Sequence, residues 1–169
     1  ANAFAAIMAM KYLDSILSFP KRSRKEKRKI TWIQWIIVIV AAAGLNILFS
    51  ALMSFLVSDY GITSESQDAL LSSRMLFQIL GMGIAVPVTE ELIFRGLVYR
   101  KLERYVSVKK AVLLGAAIFA VYHGNLLQIL FAFPMGIILN LLYHRYEDLR
   151  VPILFHAVSN LMAVLLTAI

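Results

Sequence analysis

Glu90 and Glu91, followed by Arg95, lie in the stretch V-T-E-E-L-I-F-R at 88–95, inside an otherwise apolar block. His123, His156 and Asn160 interrupt two further apolar blocks. Charged groups within a bilayer cost about 2.5–3.5 kcal/mol each on insertion scales, so they are retained where they face a protein interior or a wet cavity. A buried glutamate beside imidazoles can act as general base for a water molecule, with His123 helping to hold that water. His156 and Asn160 could donate hydrogen bonds to the oxyanion of a tetrahedral intermediate, where a placed donor is typically worth about 3–4 kcal/mol. Glu90, His123 and His156 would equally make a workable zinc site, and no H-E-x-x-H sequence decides between a metal and a metal-free mechanism. The chain has 0 cysteines, which removes thiolate chemistry and disulfides together.

The spacings are helical. His156 and Asn160 are four residues apart, as are Phe119 and His123, and Glu91 and Arg95, so each pair shares a helix face. Glu90 and Glu91 differ by about 100° around the axis and are not expected to point at the same site. Glu90 is therefore assigned the catalytic role, and Glu91 the supporting pairing with Arg95.

The elements that must carry these residues are membrane helices. Of 169 residues, 60% are hydrophobic and 16% charged, and the mean hydropathy is +0.76. Apolar blocks of about 18–27 residues alternate with charged clusters, the pattern of an all-α, polytopic transmembrane bundle with its site inside the membrane rather than of a β-barrel. Ala1 to Pro20 opens apolar and then carries Lys11 and Asp14; it reads as an interfacial helix or a partial membrane segment, and not as a signal peptide, because no basic region precedes the apolar run. Lys21 to Lys29 holds seven basic residues against Glu26. It predicts a cytoplasmic anchor against anionic lipids, and the net charge of +7 reflects topology rather than nucleic-acid binding. The segments thus divide into an N-terminal part, 1–29, and a transmembrane core, 30–169.

Within the core, Ile30 to Val57 is expected to run outward, and 59–73 to form an outside loop. Met75 to Tyr99 returns to the basic cluster Arg100, Lys101, Arg104, Lys109 and Lys110. Ala111 to His123 goes back in and breaks at Gly124-Asn125, Leu126 to Tyr143 comes out to His144 and Arg145, and Val151 to Ile169 spans once more. Pro87 is expected to kink its helix just ahead of the carboxylates. Counting from the nearest basic residues, Glu90 lies about 15 Å deep, His123 about 20 Å, and His156 and Asn160 about 9 and 15 Å. Three helices thereby bring polar groups to one level.

E-E-L-I-F-R at Glu90–Arg95, F-A-V-Y-H at Phe119–His123 and H-A-V-S-N at His156–Asn160 resemble the EExxxR, FxxxH and HxxxN motifs of the CAAX-protease and bacteriocin-processing family of intramembrane proteases, in the same order, over 75–169. The resemblance implies endopeptidase chemistry on membrane-embedded or membrane-tethered peptides, lipidated or bacteriocin-like, in a cavity open to the cytoplasm and the membrane. It implies Glu90 as water activator with Glu91 and Arg95 beside it, His123 as the second-motif histidine, and His156 and Asn160 as the binding or oxyanion pair. The family has been described both as zinc-dependent and as metal-free. A short chain with one polybasic block looks bacterial or archaeal. The rival reading is a non-catalytic scaffold or immunity protein of the same fold that binds another envelope protein; an ion-coupled carrier lacks the inverted repeats it would need.

Overall fold

The computed structural model describes residues 28–60 and 74–167. The N-terminal segment, most of the polybasic stretch and most of the expected outside loop lie outside the described residues. The rest is helical: α1, Trp32–Tyr60; α2, Met75–Tyr105; α3, Val108–Tyr122; α4, Leu126–Tyr146; and α5, Arg150–Thr167. Among the described residues there is no strand. Trp32–Leu52, Met75–Tyr105 and Leu126–Tyr146 are long and apolar enough to cross a membrane, and Arg150–Leu166 is a shorter apolar helix. With 15 residues, α3 rises only about 22 Å, less than a hydrocarbon core of roughly 30 Å.

α2 runs past the expected Tyr99 to Tyr105, because Arg100, Lys101 and Arg104 are good helix formers whose charge suits a helix C-terminus. α3 and α4 form an antiparallel hairpin. α5 is started by Asp148, whose carboxylate accepts from the Arg150 backbone N–H at 3.0 Å, and it packs against α1, α4 and the first half of α2.

Small residues and buried amides hold these helices together, as expected where lipid supplies no hydrophobic drive between them. Asn46 Nδ2 donates to the Ser159 carbonyl at 2.8 Å, and Ser159 Oγ to the Ala42 carbonyl at 3.3 Å, tying α1 to α5. Asn140 Nδ2 donates to the Val112 carbonyl at 3.0 Å, tying α4 to α3. A Cβ on Gly136 would lie 3.0 Å from Ala116 Cα, so glycine sets the closeness of that hairpin. Val38, Ala42, Met135, Leu139, Val151 and Phe155 close a core between α1, α4 and α5. Trp32, Ile36, Val40 and Leu48 stay exposed along α1, as lipid-facing side chains do.

The basic ends of these elements meet. The Arg28 backbone N–H donates to the Tyr146 carbonyl at 3.2 Å, and His144 of α4 pairs with Glu103 of α2 at 2.6 Å.

Candidate active site

The carboxylates ride on the ordinary α-helical stretch Val86–Ile93, between two widened stretches of α2, Gln78–Ala85 and Phe94–Tyr99. The first widening has a visible cause. Pro87 has no N–H, and in a regular helix its ring would strike the carbonyl four residues back, at Gly83. The helix avoids this by an i→i−5 bond from Val86 N–H to the Gly81 carbonyl. The expected kink at Pro87 is thus a widened turn, a distortion frequent at functional sites.

Downstream of Pro87 the two glutamates take different environments. Glu91 is fully buried and accepts at Oε1 from Arg95 Nη1 at 2.8 Å and from His156 Nδ1 at 2.8 Å. Arg95, also fully buried, reaches the Gly136 carbonyl at 3.5 Å and holds its guanidinium 4.4 Å from the centre of the Phe119 ring. The side chain of Glu90 keeps 12% of its surface accessible against 0% for Glu91. Its Oε2 has no hydrogen-bond partner and lies 3.9 Å from His156 Nε2.

Both glutamates therefore flank one imidazole, although their 100° separation suggested that they would serve different places. The reason is tertiary: α5 packs along α2 so that His156 enters between them, and the ring offers a nitrogen on each side. Because Glu91 is the ion-paired acceptor, Nδ1 carries the proton, and in the neutral ring Nε2 presents its lone pair toward Glu90.

His123 is oriented by the end of its own helix. The last turn of α3 tightens, with His123 N–H donating to Ala120 and Gly124 N–H to Val121, and Gly124 takes φ +67°. This denies the Phe119 carbonyl its usual donor four residues on, and the imidazole supplies one: His123 Nδ1 lies 2.8 Å from that oxygen. A carbonyl can only accept, so the free nitrogen of His123 is also Nε2. Asn125 then starts α4, accepting from Leu127 and Gln128 N–H.

Asn160 is engaged elsewhere than expected. Its Nδ2 donates to the Met82 carbonyl at 2.8 Å, in the widened turn, which leaves one amide hydrogen and the carbonyl oxygen of the side chain for other partners.

All six residues singled out from the sequence thus belong to one region where α2, α3 and α5 meet. Sequence reasoning gave no role to Phe119 beyond its motif position. Its ring is buried, lies under Arg95, and meets the rings of Phe94, His123 and His156 edge-on at 5.0, 4.8 and 6.0 Å. The Met82 and Gly136 carbonyls carry no sequence signal, because backbone acceptors look alike in every residue.

For a metal, the donor types at Glu90, His123 and His156 are suitable, but their placement is not. Among the described residues, the one trio of such groups with ligand atoms within 4.8 Å of one another is Glu103, His144 and Glu147, at the basic end of the bundle. The Nδ1 of both site histidines is engaged by an acceptor, which leaves Nε2 of each as the nitrogen that an ion would take.

A family model described as "Type II CAAX prenyl endopeptidase Rce1-like" matches residues 72–162, more than half of the chain and inclusive of every residue of this site. The chain belongs to the Rce1-like family. It is a membrane protein, by its apolar helices and by that family. It is 29% identical over 136 residues to the "putative membrane peptidase YdiL" of Bacillus subtilis (strain 168), covering 76% of this chain and 56% of that protein. To the UPF0177 protein YajF of Lactococcus lactis subsp. lactis (strain IL1403) it is 27% identical over 130 residues, covering 74% and 63%. To the UPF0177 protein YaiH of the same strain it is 28% identical over 130 residues, covering 69% and 54%. The chain thus spans between 54% and 63% of the length of these relatives. No solved structure matches it.

Proposed function

We propose that this Rce1-like protein is an intramembrane endopeptidase that hydrolyses peptide bonds of membrane-embedded or membrane-tethered substrates with a glutamate-activated water. The observation that carries the reading is the unpartnered Glu90 Oε2 facing His156 Nε2 at 3.9 Å. That separation is too long for a direct hydrogen bond. Oε2 itself is closed to solvent while 12% of the Glu90 side chain is open, so the water meets the accessible part of the carboxylate beside His156. Glu90 takes one proton of the water and His156 Nε2 accepts the other hydrogen, so the oxygen lone pair is aimed at the substrate carbonyl carbon. As the carbon–oxygen bond forms, the carbonyl electrons move to oxygen. The remaining amide hydrogen of Asn160 is a donor for that oxyanion, while the hydroxyl now on the carbon keeps its hydrogen on His156 Nε2. Collapse breaks the carbon–nitrogen bond, and Glu90 returns its proton to the leaving amine. His123, with Nδ1 anchored and Nε2 free, helps to hold the water or the substrate.

The ion pair of Arg95 and Glu91 sits behind this site. A carboxylate tied to a buried guanidinium holds the His156 tautomer and leaves Glu90 as the reachable base. The basic ends of α2 and α4 support placing that end, and the Lys21–Lys29 stretch with it, against anionic lipid on the cytoplasmic side. The lipidated or bacteriocin-like nature of the substrate follows from the family alone and is part of the proposal.

The test is cleavage of membrane-tethered peptides by purified protein in lipid vesicles, with wild type, Glu90→Gln and His123→Ala, each with and without a chelator. Cleavage by the wild type in chelator, lost in Glu90→Gln and strongly reduced in His123→Ala, is the expected result. Cleavage retained by Glu90→Gln refutes the mechanism. A cellular phenotype that survives both substitutions refutes the enzyme reading in favour of a scaffold.

A further inference from the structure

The Met82 carbonyl occupies an unusual position in its helix. Its donor four residues on, Val86 N–H, is committed to Gly81, and its donor five residues on would be residue 87, a proline. The widened turn that accommodates Pro87 therefore leaves this oxygen without a main-chain donor, and an unpaired carbonyl in a membrane interior is costly. Asn160 supplies the missing bond at 2.8 Å from the neighbouring helix. Directly beside it, Gly83 lets α5 come close: a Cβ there would fall 2.4 Å from Leu161 Cδ2.

From this arrangement we infer that Pro87 and Asn160 are a matched pair, and that Asn160 acts first as a positioning residue. The proline removes a backbone donor, the asparagine replaces it from α5, and the bond fixes α5 against α2 so that His156, one turn before Asn160, stands opposite Glu90. The coupling extends the reading of Glu90 and His156 as the site and rests on it for its catalytic consequence; the structural pairing stands independently. It predicts an outcome that a purely oxyanion-binding asparagine does not. Alanine at position 87 restores an N–H within reach of the Met82 carbonyl, so Pro87→Ala should make the Asn160 bond dispensable.

The experiment is a cycle of wild type, Pro87→Ala, Asn160→Ala and the double variant in lipid, read in three ways. Because the chain has 0 cysteines, spin labels at Leu80 and Leu165, both exposed on α2 and α5, report the α2–α5 distance directly. Thermal unfolding reports the pairing, and kcat and KM on a membrane-tethered peptide report the positioning. Asn160→Ala is expected to shift the label distance, to lower Tm, and to reduce kcat about 100-fold at nearly constant KM, the scale of a displacement of about 1 Å at a reacting pair. In the Pro87→Ala background the same substitution should leave distance and Tm nearly unmoved and cost clearly less kcat than in the wild-type background, the remaining loss being that of one oxyanion donor. Equal Tm losses in the two backgrounds, or a distance change in Pro87→Ala alone as large as that in Asn160→Ala, overturn the pairing. Restored distance and Tm with an equal kcat loss in the two backgrounds overturn the positioning role and leave Asn160 as an oxyanion donor alone. If the wild type cleaves nothing, the protease reading fails, while the distances and Tm values still decide the pair.

Discussion

Two adjacent glutamates with opposite burdens should give opposite mutational signatures. Glu91→Gln removes the negative charge that compensates Arg95, a guanidinium with 0% exposure whose remaining supports are the Gly136 carbonyl at 3.5 Å and the Phe119 ring at 4.4 Å. Breaking a buried pair by neutralising one partner costs about 3–5 kcal/mol. The cation–π contact with Phe119 is present with either side chain and does not offset that loss. A destabilisation of about 3–5 kcal/mol lowers Tm by roughly 6–20 °C for a chain of this size. Glu90→Gln is different, because its buried Oε2 has no hydrogen bond to lose. Exchanging a desolvated carboxylate for an amide should change stability by less than about 1 kcal/mol in either direction. Yet it should reduce cleavage by about 100-fold or more, the usual worth of a positioned general base. Thermal unfolding of both variants in the same lipid or detergent, paired with cleavage rates, separates the two roles. Comparable Tm losses in the two variants, or an unperturbed Glu91→Gln, would refute the division of labour argued from the hydrogen bonds.

Other substitutions probe the supports. Gly136→Ala puts a methyl 3.0 Å from Ala116 Cα and 3.2 Å from Phe119 Cδ1, and should lower stability by an overpacking cost of about 1–3 kcal/mol, seen as a lower Tm. Asn46→Leu removes the 2.8 Å bond to Ser159 at the α1–α5 contact and should cost about 1 kcal/mol in unfolding measurements. Because Asn46 bonds Ser159 and Ser50, whereas Gly136 sits against Arg95 and Phe119, cleavage should fall less than in Gly136→Ala. Phe119→Leu keeps an apolar side chain but takes the ring from under Arg95 and from beside His123 and His156. Cleavage should drop about 10-fold or more with a stability loss of about 1–2 kcal/mol, and a fully active variant would show that the ring is only filler.

Much of this protein was legible in the chain itself. Long apolar blocks between basic clusters determined an all-helical membrane architecture, since a backbone in lipid must satisfy its own hydrogen bonds. The four-residue spacings of Glu91 with Arg95, Phe119 with His123, and His156 with Asn160 are local, and a helix converts such spacing into a shared face whatever the rest of the fold does. The pairing of Glu91 with Arg95 one turn away was readable for the same reason.

Tertiary structure alone decided how those faces meet. No periodicity in α2 or α5 reveals that His156 enters between Glu90 and Glu91, because its position depends on the depth and rotation of one helix against another. Nor could spacing place the Asn160 amide on the Met82 carbonyl. That bond answers a hydrogen-bond deficit created in α2 by Pro87, and backbone acceptors have no signature in the sequence. The same holds for His123, whose ring orientation follows from a tightened final turn that freed the Phe119 carbonyl. Local periodicity is encoded residue by residue, whereas unpaired backbone groups arise only once helices distort, and their partners are chosen by whichever side chain the packing brings near.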